Sequence, residues 1–378
     1  MKGLELSELF YLEVVKKLIE HYFPSLRHNY AAGLIGYGSD VLGNDDVLSK
    51  DHEWGPRCHI WLTNEDYNFF ASEIDKMLQD QLPMSYLGHK TRFVFNEEFG
   101  ALVTTDEKEN SFHHVAVTTV ERHLELQFGL SKKISNPNKY NLTDIEWLCI
   151  PEQKLLELTR GKIFEDPIGE ITEVRKDFLY YNEEVWKYKM LYCWREIHNY
   201  ALIPLCYKRG QVISGKIVLS RVVENIIRLV YLYNRKYYPG YMKWFSYEFY
   251  KLPVLANEVG VKLEECLTTE DVVKIVSIIE DIAMKLLMEH NRLEVTPYVE
   301  FGNNVSGRGL VSISVWNVCR MLQENITSEL KHLNIGGSCD QWITNSDILV
   351  WSEQFMKVKD LYLNSKTHNR DGIGDLIV

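Results

Sequence analysis

Apolar residues recur every three or four positions at Leu6, Leu9, Phe10, Val14 and Leu18. The spacing predicts an amphipathic helix over residues 4–22, ended by Pro24. Residues 31–37 read as a first strand, after which the Gly38-Ser39 turn opens a short helix or loop holding Gly43 and the acidic pair Asp45-Asp46. No apolar run follows that pair directly, so it reads as a solvated loop. A second apolar run at residues 58–62 follows Pro56, which donates nothing to a sheet ladder and belongs at a strand start, an edge or a bulge. Thr63-x-x-Asp66 is a helix-start signal, and residues 63–81 place Tyr67, Phe70, Ile74 and Leu78 on one helical face. Strands are predicted at 91–96 and 111–118, separated by the charged turn 106–109, and a helix at 120–130. This order suits a small mixed sheet with helices on one face.

Around Asn136-Pro137-Asn138 the chain turns polar, and a domain boundary is expected there. The first domain is then 1–135 and the second 144–378. Helical spacing runs through 151–160, 182–200, 214–233, 270–290, 312–333 and 347–363, which predicts a mainly helical bundle. Trp186, Tyr188, Tyr192 and Trp194 read as its core. The glycine-rich residues 302–309 lack the Gly-Lys-Ser/Thr ending of a phosphate loop and read as an interhelix loop. The fold class is α+β: a small mixed sheet with helices, then a mainly α-helical bundle.

Composition narrows this only a little. The chain has 378 residues, 46% hydrophobic and 25% charged, enough for two ordinary globular cores. No apolar run reaches the roughly 18 residues a membrane span needs, and the N-terminus lacks a signal-peptide core, so a cytoplasmic protein off the membrane is expected. Seven dispersed cysteines without a C-x-x-C pair argue for reduced thiols rather than a disulfide framework or a structural zinc. A net charge of −11 disfavours a nucleic-acid binder.

The chemistry concentrates between residues 33 and 62. Asp51 and Glu53 stand at i and i+2, which on an extended backbone turns both carboxylates to one side. Two hard oxygen donors suit Mg²⁺, which keeps other positions for water and substrate phosphates. Gly38 lets a bound group approach the backbone, and Ser39 offers a hydroxyl and an N–H to a phosphate oxygen. His52, between the two carboxylates, points to the opposite face. Arg57 reads equally as a triphosphate contact and as an ordinary salt-bridge partner.

An apolar strand, Gly38-Ser39, a spacer and Asp51-x-Glu53 together resemble the nucleotidyltransferase signature of the DNA polymerase beta-like superfamily. The longer string G-S-D-V-L-G-N-D-D-V-L-S-K-D-H-E-W-G-P-R is similar to an uncharacterised bacterial family that joins such a head to a helical domain of unknown function. Further likenesses at Trp147-Leu148, Gly161-x-x-Phe164-x-Asp166, Trp194, Ser214-Gly215, Arg221, Arg228-Leu229 and residues 238–244 carry the resemblance to about residue 255. It implies a Mg²⁺-dependent transfer of a nucleoside monophosphate, AMP from ATP, to a hydroxyl of a small acceptor, with aminoglycoside adenylyltransferases as the analogy. Asp51 and Glu53 would hold the metal and Gly38 and Ser39 the phosphates, with Arg57, Lys216, Arg221 and Lys243 as candidate phosphate cations. Such enzymes carry a third carboxylate on the next strand, where this chain has Ala116; Asp106, Glu125 or His114 are the alternatives, as is loss of catalysis. A nucleotide sensor, an interaction protein and a protein or tRNA nucleotidyltransferase therefore stay open, as does a homodimer.

Overall fold

A computed structural model describes residues 1–50, 52–98, 100–130, 140–300, 302–305 and 311–364. Contacts divide the chain into two compact units: residues 1–141 with 154–179, and 142–153 with 180–378. The helical second region is thus joined to an α+β first region that also takes in residues 154–179.

In the first unit the N-terminal helix runs through α1 (Gly3–Phe10), a π turn (Tyr11–Val15) and α2 (Lys16–Tyr22). Strand β1 (Tyr30–Leu34), helix α3 (Ser39–Leu42), strand β2 (Cys58–Leu62) and helix α4 (Asn64–Gln81) follow. Thr63 Oγ1 caps α4 by accepting from Asp66 N at 3.1 Å, as its sequence position predicts. A small hairpin, β3 (Ser85–Tyr86) with β4 (His89–Lys90), precedes β5 (Arg92–Asn96), β6 (Ala101–Thr105) and β7 (Phe112–His113), which form a separate sheet in the order β6-β5-β7. Strand β6 was not expected; its alternation is shallow because most of its residues are only half-buried.

The main sheet has the order β8-β2-β1-β9, with β8 (Val115–Thr119) parallel to β2 and with β1 antiparallel to both β2 and β9 (Lys162–Glu165). Alternation decides its faces. Cys58, Ile60 and Leu62 pack with Tyr30, Ala32 and Val115 against Phe10, Val15, Ile19, Ile74 and Leu78. Ile60 and Leu78 are fully buried, so truncating either to alanine costs about 2–5 kcal/mol. Helix α5 (Val120–Phe128) follows β8, capped by Thr119 Oγ1. Strand β9 comes so close to β1 that a Cβ at Gly161, whose φ is +74°, would overlap the Leu34 carbonyl. Arg175, on α8 (Glu170–Asp177), donates to the carbonyls of Leu158, Thr159 and Arg160 and so closes the C-terminus of the preceding helix.

The second unit contains α6 (Asp144–Cys149) and the start of α7 (Glu152–Thr159), which passes into the first unit at residue 154. Its helices continue with α9 (Glu183–His198), α10 (Leu202–Lys208), α11 (Val212–Tyr233), α12 (Phe245–Phe249), α13 (Ala256–Thr268) and α14 (Val272–Arg292). Trp186, Tyr188 and Trp194 are buried core residues as expected. The helix predicted over 312–333 is instead β11 (Val311–Ser314), α15 (Trp316–Asn325) and a 3-10 turn (Glu329–His332), and β11 pairs with β10 (Gly302–Val305). Residues 302–305 of the glycine-rich run expected to be a loop are therefore a strand; its residues 306–309 lie outside the described residues. The last predicted helix breaks into α17 (Ser346–Val350), α18 (Ser352–Phe355) and α19 (Val358–Asn364) after α16 (Cys339–Trp342), where Asn345 caps α17 and restarts the helix.

At the centre of this unit Lys189, 1% exposed, donates to Glu152 Oε1 at 2.6 Å and to Ser338 Oγ at 2.5 Å, with Asp340 Oδ1 3.6 Å away. Asp340 also accepts from the Glu152 N–H at 2.9 Å, and its carbonyl accepts from Arg228 at 2.8 Å. Four segments of sequence are thereby tied together. All seven cysteines carry free thiols. Among the described residues no helix is long and apolar enough to cross a membrane.

Candidate functional site

Gly38 ends the turn after β1 with φ +118°, a conformation that side chains other than hydrogen rarely adopt. A Cβ there would overlap Arg57 Nη2 and Asp40 Oδ1, because the Arg57 guanidinium lies across the turn. Arg57 is 3% exposed; Nη2 donates to Asp40 Oδ1 at 2.6 Å and to the Tyr37 carbonyl at 2.8 Å, while Nε reaches Asp40 Oδ2 at 3.3 Å. Among the described residues Nη1 has no hydrogen bond. Burial disfavours this cation, but the Asp40 carboxylate more than restores it and holds its pKa above the ordinary value. One edge of Arg57 is therefore a strut and the other remains a donor.

Glu53 does not continue a strand. Its φ is +50°, and its N–H donates to the Leu102 carbonyl of β6 at 2.8 Å, so the alternation rule that would point Asp51 and Glu53 together does not apply to this bend. Regular pairing begins only at Cys58, two residues past Pro56. Glu53 is half-buried; burial raises its pKa, Arg57 and His52 pull it down, and Asp40 pushes it up. Asp51 lies outside the described residues. Asp45 is not a solvated loop residue: it is 4% exposed and accepts from Gly3 N at 2.8 Å and Trp54 Nε1 at 3.5 Å, whereas Asp46 is exposed and bonds Ser49. His52 is exposed.

Tyr37 connects the turn to β8. Its hydroxyl lies 3.2 Å from His114 Nε2, and its ring carries the Arg57 guanidinium at 5.2 Å. Burial raises the tyrosine's pKa, with Glu53, Asp40 and Glu157 adding to the shift and Arg57 opposing it. His114 is pushed down to about 3 by burial, by Arg57 and by His113, so it is neutral at pH 7. Ala116, at the expected third-carboxylate position, is an exposed residue of edge strand β8, in register with His59. The alternatives to it are dispersed: Asp106 is exposed and paired with Lys90 at 2.7 Å, and Glu125 is exposed on α5.

Beside Ala116 the sheet face opposite the apolar core carries His59 and Trp61, their rings 5.1 Å apart and nearly parallel. His123 of α5 meets both edge-on, at 5.1 and 5.9 Å. Burial pushes His123 down to about 4, with Lys154 adding to the effect, and lowers His59 well below its usual value. Lys154 and Glu157 are buried partners 3.1 Å apart on α7, and the Glu157 carbonyl accepts from Gly36 N at 2.7 Å.

The structure thus brings together Gly38, Ser39, Glu53 and Arg57 from the expected set. Lys216, Arg221 and Lys243 belong to the second unit: Lys216 is paired with Glu270 at 3.1 Å, and Arg221 and Lys243 are exposed. Sequence reasoning passed over Tyr37, Asp40, His59, Trp61, His123, Lys154 and Glu157. The period-two alternation of residues 58–62 was the available signal for His59 and Trp61.

Among the described residues no group of three His, Cys, Asp or Glu is disposed to hold a metal. Among the described residues beside the turn, Glu53 is the carboxylate left for a cation, since Asp40 is committed to Arg57. A half-buried carboxylate with a raised pKa is a group that a cation would stabilise, so Glu53 fits one ligand position for Mg²⁺.

Residues 147–245 match a described family, a domain of unknown function (DUF4037). No curated protein matches the chain.

Proposed function

We propose that the first unit is a nucleotidyltransferase head that moves a nucleoside monophosphate, AMP from ATP, to a hydroxyl of a small acceptor. The observation that carries the reading is that the two halves of the motif converge. Arg57 lies across the Gly38-Ser39 turn, and Glu53 is close enough to feel Arg57, Asp40 and Tyr37 electrostatically.

Ser39 Oγ and Arg57 Nη1 are the donors for phosphate oxygens, with the Asp40 pairing fixing the guanidinium plane so that little rotamer freedom is lost on binding. Glu53, with Asp51 assigned from the sequence, would hold Mg²⁺. That ion, when bound, supplies charge neutralisation for the triphosphate. The acceptor oxygen forms a bond to the α-phosphorus as the bond to the β-phosphate oxygen breaks, pyrophosphate leaves, and the hydroxyl proton passes to solvent. The protein's share is alignment and charge compensation by fixed donors.

A second reading, nucleotide sensing without transfer, is favoured by Ala116 and by the dispersal of Asp106 and Glu125. Calorimetric titration of the four Mg²⁺-nucleoside triphosphates into wild type, Glu53→Gln and Asp51→Asn, followed by pyrophosphate release with polyol acceptors, separates them. Binding that needs both carboxylates together with pyrophosphate release supports transfer. Binding without release supports the sensor, and no binding removes both.

A further inference from the structure

We infer that Phe93 is a positioning residue for Glu53: from the small sheet β6-β5-β7 it holds the bend that carries this carboxylate and ties it to the Gly38-Ser39 turn. The inference rests on the proposed transfer site for what Glu53 does, although the hold itself can be measured without nucleotide or metal.

Residues 52–57 precede the regular pairing of β2, and the small sheet supplies contacts that fix them. On β6 the Leu102 carbonyl accepts from the Glu53 N–H at 2.8 Å, which holds a residue other than glycine at φ +50°. On β5 the ring of Phe93, fully buried, lies against Gly55: a Cβ built there, at φ +151°, would stand 3.1 Å from Phe93 Cζ. The ring takes the space that a side chain at position 55 would need, and glycine lets it in. Between these two contacts, Trp54 meets the His89 ring of β4 edge-on at 5.0 Å. Phe93 also meets His114 edge-on at 4.8 Å, and His114 Nε2 lies 3.2 Å from the Tyr37 hydroxyl. One side chain therefore touches the loop bearing Glu53 and, through a single histidine, reaches the turn that Arg57 crosses.

Alternation along β5 sends adjacent residues to opposite faces of the small sheet. Arg92, also fully buried, faces α4, where Nη1 donates to Gln79 Oε1 at 2.7 Å and Nη2 to the Gln79 carbonyl at 2.6 Å. His113, its partner in register on β7, has Nε2 3.2 Å from the Asp75 carbonyl, and Gln79 Nε2 donates back to the Ser111 carbonyl at 2.7 Å. The small sheet is thus anchored on one face to the last turns of an 18-residue helix and presents Phe93 from the other. A carboxylate whose backbone is already placed binds a cation more tightly than one that must be ordered on binding. Phe93 acts through the bend, so it is a positioning residue and not a ligand.

The test is amide hydrogen exchange resolved at Glu53 and at Ile60 of β2, together with calorimetric titration of the four Mg²⁺-nucleoside triphosphates, on wild type, Phe93→Leu and Ile74→Val. Ile74 packs in the main core with Ile60 and serves as the control for a general loss of stability. Phe93→Leu speeds exchange at Glu53 at least about tenfold more than at Ile60, by local opening, and weakens the nucleotide bound by wild type about tenfold. Ile74→Val leaves the ratio of the two exchange rates and the affinity unchanged. Exchange at Glu53 unchanged by Phe93→Leu, or sped equally at Ile60, overturns the inference and leaves the transfer reading standing. Faster exchange with undiminished nucleotide affinity overturns it too, because the bend is then not what sets the site. If no triphosphate binds wild type, the transfer reading falls, and the exchange rates alone decide whether Phe93 places Glu53. Should Phe93→Leu not fold, Phe93→Met, closer in volume but without the ring, takes its place.

Discussion

The two units pair their buried charges differently. In the second, buried Lys189 meets Glu152 and Asp340, and Arg228 joins them through the Asp340 carbonyl and pairs with Glu224. In the first, Arg57 is saturated on one edge only, Glu53 has no opposite charge in contact, and Trp61 and His59 carry unpartnered nitrogens among the described residues. Among the described residues, buried polar atoms without a partner occur in both units, Arg228 Nη1 among them in the second, so the contrast is one of ion pairing. The difference directs the search for function to the first unit, although the family match at residues 147–245 lies largely in the second.

The sharpest way to break the comparison is Lys189→Met, which strands two buried carboxylates. A loss of about 3–5 kcal/mol is expected, read by urea denaturation. A loss under about 1 kcal/mol would mean the network is not the staple described.

Acid tests each unit next through one buried histidine. The folded first unit refuses protons at His123 that the unfolded chain accepts, so stability is full above about pH 6.5 and falls as pH drops toward about 4. His123 accounts for on the order of 3 kcal/mol of that fall. His290 in the second unit, also near 4 through burial, has Tyr233 and Thr296 within hydrogen-bonding distance of its two nitrogens. Thermal unfolding of His123→Phe and His290→Phe between pH 4 and 7 measures each share; a slope unchanged by His123→Phe would refute the assignment.

Thr119→Ala removes the α5 cap and should cost about 1 kcal/mol. Nucleotide binding should be disturbed little, because the cap's partner is Arg122 N and not Arg57 or Glu53. The smallest stability change belongs to Glu53→Gln: within about 0.5 kcal/mol in denaturation, yet with Mg²⁺-dependent nucleotide binding lost. A large stability loss instead would class Glu53 with the second unit's network.

Much of the first unit was legible because its elements follow strong local rules. The Thr63 cap, the Gly38-Ser39 turn and the 58–62 strand stand where periodicity and turn chemistry put them. The bend at Glu53 was not legible, since its left-handed backbone is stabilised by a bond to Leu102, a contact far along the chain. Asp45 was misread for the same reason: its partners, Gly3 and Trp54, come from elsewhere in the sequence. Strand β9 escaped notice because one exposed and three half-buried residues have too little alternation to stand out between two helices. In the second unit, long helices announced themselves, whereas 311–333 combined a strand, a helix and a 3-10 turn under one apolar periodicity.

The return of β9 to β1 has a consequence for the order of events in a cell. Ala32 pairs with Glu165, so at about 5–20 residues per second a ribosome spends on the order of ten seconds between delivering one partner and the other. During that interval β1 has one edge unclosed while the start of the helical region, residues 142–153, is already emerging. The sheet that bears the turn cannot be finished until synthesis has left it, entered the next unit and come back.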